Sequence, residues 1–99
     1  MTLEMTKWDV VDHLKTDEDI AYYLEAVFED GDPALITAAL GDVARARGMT
    51  QLAKDTGLAR EALYRSLSAE GRPEFTTVLK VMKAFGLRLA AVPSGDKVA

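Results

Sequence analysis

The chain has 99 residues, 48% hydrophobic and 28% charged, with a net charge of -4 and no cysteine. That balance fits one small globular domain with a stability of about 5–15 kcal/mol and excludes a chain disordered by composition. Without cysteine there are no disulfides, thiolate catalysis or sulfur-ligated metals; no apolar run nears the ~20 residues of a bilayer span; and the opening MTLEMTKWDVV lacks the features of a secretory signal, so a cytoplasmic protein with no membrane contact is expected.

Lys7 to Leu14 (KWDVVDHL) is ambiguous, because Trp8 and Val10 alternate like a strand while Trp8, Val11 and Leu14 repeat like a helix. An extended N-terminal arm over residues 1–15 is the favoured reading. Trp8, Val10 and Leu14 are its candidate contacts to a protein partner, with Trp8 equally able to pack on its own core. His13 is the only histidine, and one imidazole without cysteine or a second histidine makes neither a metal site nor a triad.

Thr16 opens the first clear helix, with Asp19 placed for a capping box and Ile20, Tyr23, Leu24, Val27 and Phe28 on its inner face. Asp30 and Gly31 end it. Asp32 then caps a second helix with Pro33 in its first turn, whose apolar positions are Leu35, Ile36, Ala39, Leu40, Val43 and Ala44, and Gly48 stops it. Arg45 and Arg47 fall in its last turn, where they complement the helix dipole or reach a phosphate.

Met49 to Ser68 (MTQLAKDTGLAREALYRSLS) reads as a helix, a tight turn and a second helix. Thr50 is placed to cap the first, Gly57 to end it in the left-handed conformation, and Leu58 to drop back onto the core. Small Ala53 permits a close crossing, and Leu63 and Leu67 face inward on the second helix. The opposite face carries Ala59, Arg60, Glu61, Tyr64, Arg65 and Ser68, side chains able to reach a major groove. Arg60 and Arg65 can fork onto guanine O6 and N7, Glu61 can accept from cytosine N4, and Ala59 or the Tyr64 ring can touch a thymine methyl. Lys54 and Arg72 complete this candidate DNA-binding set. The bland alternative is a short amphipathic hairpin with a solvated charged face.

Ala69 to Glu74 is a loop by its Gly71 and Pro73. Phe75 to Phe85 predicts a last helix with Phe75, Val78, Leu79, Met82 and Phe85 on the packing stripe and Gly86 as its stop. Leu87 to Val92 alternates like a short β-strand, so Leu87, Leu89 and Ala91 are candidates for pairing with a second copy or with the arm. Residues 94–99 read as a mobile tail.

Charge divides by position. Residues 1–33 hold ten acids against Lys7 and Lys15, a net of -8, whereas residues 34–99 hold ten Lys or Arg against six Asp or Glu, a net of +4. Two surfaces with two partners are one explanation, and an acidic hairpin that merely solubilises the chain is the other. There is no Gly-rich phosphate loop, no nucleophile with a base and no metal set, so no enzyme activity, catalytic residue or cofactor is expected.

The stretches LKTDEDIAYYLEAVFEDGDPALITAALGDVARARGM, TQLAKDTGLAREALYRSLSAEGRPEF and TTVLKVMKAFGLRLAAVP resemble the probable addiction-module antidote family, Xre-type helix-turn-helix antitoxins grouped with HigA-like proteins, over nearly the whole chain. The resemblance implies an all-α fold: a five-helix phage-repressor-like (lambda-repressor-like) domain over residues 16–93 with its helix-turn-helix at 49–68. It further implies an antitoxin that binds a small basic toxin of the RelE/HigB type and represses its own operon as a homodimer on double-stranded operator DNA. Family DNA contacts map onto Thr50, Gln51, Arg60, Glu61, Tyr64 and Arg65. A free-standing phage-type repressor without a toxin partner is the alternative.

Overall fold

The computed structural model describes residues 14–95, which form five helices and no strand. They are α1 (Asp17–Asp30), α2 (Pro33–Arg47), α3 (Met49–Thr56), α4 (Arg60–Ser66) and α5 (Phe75–Ala84). Local chemistry sets most of the boundaries. At the start of α1 the Asp19 N–H donates to Thr16 Oγ1 at 3.1 Å and the Thr16 N–H donates to Asp19 Oδ2 at 3.2 Å, so the capping box forms in full. Asp32 caps α2 by accepting from the Ala34 N–H at 3.3 Å, beside Pro33 in the first helical position. Two chain reversals use a left-handed glycine: Gly31 after α1 at φ 80° and Gly57 after α3 at φ 73°.

α1 packs on α2, α2 on α3, and α3 on both α4 and α5. Their shared core contains Ile20, Leu24, Leu40, Val43, Leu52, Leu63, Leu67, Val81, Met82 and Phe85, all buried. Fully burying a side chain of this kind contributes about 1.5–3 kcal/mol. Gly41 permits the closest approach in the core: a Cβ there would lie 2.1 Å from the Leu67 carbonyl oxygen, so the middle of α2 lies directly against the end of α4. Buried Asp42 sits one residue on. It accepts from Arg45 Nη2 at 2.7 Å and from the Tyr23 hydroxyl of α1 at 3.4 Å, so its charge is paired and hydrogen-bonded rather than stranded.

Several expectations are corrected. Thr50 is not a cap, because α3 begins at Met49 with Gly48 as its N-cap, and the Leu52 N–H donates to the Gly48 carbonyl at 3.0 Å. α2 runs into α3 across that single glycine, which leaves no room for a separate capping residue. Leu14 is 4% exposed and belongs to the core, so it is not available as a toxin contact; Trp8 and Val10 lie outside the described residues. Phe75 and Leu79 are 66% and 41% exposed, whereas Met82 and Phe85 of the expected stripe are buried together with Val81. Arg45 is bound to Asp42, and Arg47 to Asp17 and, at 3.4 Å, to the Phe85 carbonyl, so both serve the protein's own frame.

The expected strand at Leu87–Val92 is absent among the described residues. A strand needs a neighbour for its backbone donors and acceptors, and among the described residues this segment has none. Leu87 instead completes the stop of α5. Its N–H donates to the Met82 carbonyl and the Gly86 N–H to the Lys83 carbonyl, each at 2.9 Å, which brings the half-buried Leu87 side chain against the core.

Candidate nucleic-acid interface

α3 and α4 are joined by three residues, Gly57, Leu58 and Ala59. The Gly57 N–H donates to the Ala53 carbonyl at 2.9 Å, reversing the chain, and half-buried Leu58 packs back against the core. Thr56 adds a brace that periodicity does not reveal: its hydroxyl donates to the Leu52 carbonyl at 2.8 Å and accepts from the Leu58 N–H at 3.3 Å. A threonine directly before a turn glycine is the available signal, since short hydroxyl side chains bond locally to backbone.

The turn fixes which face of α4 is outward. Leu63 and Leu67 are buried, and Ala59, Arg60, Glu61, Tyr64 and Arg65 are exposed on the other side, with Ser68 half-buried at the end. Thr50, Gln51 and Lys54 are exposed on α3. Gln51 Nε2 donates to Asp55 Oδ1 at 2.8 Å, one turn along its own helix. The candidate set therefore lies at the surface, except for half-buried Ser68.

Arg65, Ser68 and Arg72 meet at one feature, a groove of about 710 Å³ between α4, the 67–74 loop and the start of α5. Gly71 shapes that loop, because a Cβ there would lie 2.2 Å from the Ser66 carbonyl oxygen. Glu70 and Glu74 line the same groove, so its two guanidinium groups share it with two carboxylates. Arg60 stands apart from them with its Cζ 5.5 Å from the centroid of the Tyr64 ring, one turn along α4. Among the described residues no ion pair engages Lys54, Arg60, Arg65 or Arg72. Glu61 likewise forms no ion pair with its arginine neighbours.

Tyr23, away from this face, holds its proton unusually tightly. Burial, reinforced by the Asp42 charge and by the hydrogen bond to it, pushes the Tyr23 hydroxyl up to about 12. It is thus a proton donor at every physiological pH. Among the described residues no group of carboxylates and imidazoles is placed to hold a metal ion, and no helix is long and apolar enough to cross a membrane.

The model of a family described as "Probable addiction module antidote protein" matches residues 4–93. An uncharacterized protein of Haemophilus influenzae is 48% identical over 88 residues, covering 89% of this chain and 91% of its own. No solved structure matches the chain.

Proposed function

The chain belongs to the family of probable addiction module antidote proteins, and from that membership we propose that it is the antitoxin of a toxin–antitoxin pair that also reads DNA. It neutralises a small basic toxin of the RelE/HigB type by direct binding and represses its own operon through a lambda-repressor-like helix-turn-helix. It acts by binding rather than by catalysis. The observation that carries the DNA reading is the outward face of α4, where Arg60, Glu61, Tyr64 and Arg65 are exposed while Leu63 and Leu67 hold the helix to the core. Arg60 and Arg65 match guanine edges, and Lys54 and Arg72 match phosphates. The acidic first third suits capture of a basic protein, mainly by raising the association rate.

One such helix rarely supplies operator affinity, so two copies act together with their α4 helices about 34 Å apart on a palindrome. Leu89 and Ala91, both exposed on the unladdered segment after α5, are the residues offered to the second copy. Leu87 anchors that segment from the inside.

Co-expression with the protein encoded by the neighbouring frame tests the antitoxin role. Growth arrest by that protein is relieved by the full chain, and less well by a chain lacking residues 1–13, which keeps Leu14 in the core while removing Trp8 and Val10. A full chain that gives no relief contradicts the role.

A further inference from the structure

We propose that Arg60 and Tyr64 form a single reading unit that selects a guanine next to a thymine, with the Tyr64 ring holding the Arg60 guanidinium in its reading pose. This rests on the proposal that α4 enters the major groove. The guanidinium carbon lies over the ring at 5.5 Å from its centroid, and both side chains face solvent. A guanidinium held over a ring by charge attraction spends no conventional hydrogen bond on it, leaving its N–H donors for the two acceptors of one guanine. The stack also restricts a long side chain before DNA arrives, lowering the cost of ordering it there.

The same contact sets what lies alongside. Arg60 and Tyr64 are four residues apart, a rise of about 6 Å along the helix, and their tips converge in the stack. Successive base pairs are about 3.4 Å apart, so the ring falls beside the base pair next to the guanine. An aromatic edge there has one apolar feature to meet in the major groove, the thymine methyl. Arg65 and Arg72 have no such ring and face the groove beside the 67–74 loop, so neither is held in place before DNA arrives. Among the four cations of this surface, Arg60 is therefore the one whose reading pose is set in advance by a ring.

Selection from a randomised duplex pool with the full-length protein, followed by titration of the enriched duplex, tests this. Enriched duplexes are expected to carry a guanine adjacent to a thymine. Replacing that guanine by 7-deazaguanine, which lacks N7, weakens wild-type and Y64F binding by about tenfold or more, and replacing the thymine by uracil, which lacks the methyl, by a few-fold. In Y64A both penalties shrink towards one while the salt dependence is kept; a purely structural tyrosine would instead weaken all duplexes alike. Y64A retaining the wild-type penalties, or enriched duplexes without the step, overturns the inference while leaving the DNA-reading role standing. An unenriched pool with no salt-sensitive binding overturns both.

Discussion

Tyr23, Asp42 and Arg45 illustrate how a polar group is kept inside a small core. The Asp42 carboxylate is covered by α1 and α2, and two donors replace the water it loses. Because the folded Tyr23 hydroxyl titrates at about 12 against an ordinary value near 10, the folded state holds that proton longer than the unfolded chain. The resulting stability is fully present below about pH 10 and is lost as pH rises through about 12. Denaturant unfolding of wild type and Y23F across this range is expected to show a steeper alkaline loss in wild type, and parallel curves would contradict it. At neutral pH, Y23F is expected to cost about 1 kcal/mol, because Asp42 keeps Arg45.

Among the helices, the contact between α2 and the end of α4 governs how the α4 face is presented. Gly41→Ala places a methyl against the Leu67 backbone, which cannot move aside as a side-chain tip would. A loss of about 1–3 kcal/mol is expected, visible as a fall of about 4–8 °C per kcal/mol in thermal unfolding. An unchanged Tm would contradict so tight a packing. This constraint was not legible in the sequence, because a glycine within an apolar helix looks like any tolerated small residue until a second backbone is placed beside it. The helices themselves were legible, since Thr16, Asp32 and Gly57 announce starts and stops by their own local bonding. Coverage was less so: Phe75 and Leu79 share the helical stripe of Val78 and Met82, and spacing alone does not say where a stripe runs past the edge of the core. The outward set on α4 followed directly from buried Leu63 and Leu67, whereas the Arg60 and Tyr64 stack depends on rotamers that no sequence pattern specifies. The alternation at Leu87–Val92 suggested a strand, but alternation alone does not supply the neighbour a strand needs.

For the whole molecule, the two signs of charge fall on different parts of the chain. An acidic first third with a net of -8 and a basic remainder with a net of +4 allow a protein partner and a nucleic acid to be held by different parts of one short chain. DNA affinity is then expected to fall steeply with salt through counterion release. K54A and R72A are each expected to lower the slope of log K against log salt by about one, because each leaves one phosphate un-neutralised. Equal slopes in wild type and both variants would place these residues away from the backbone.

The most direct test of the account is the affinity of wild type, R60A and R65A for the duplex upstream of the protein's own coding frame, measured at one fixed salt concentration with helix content checked alongside. With the fold intact, each arginine variant is expected to lose about 1–3 kcal/mol of binding free energy. Variants that bind as tightly as wild type would contradict the claim that the outward face of α4 reads DNA.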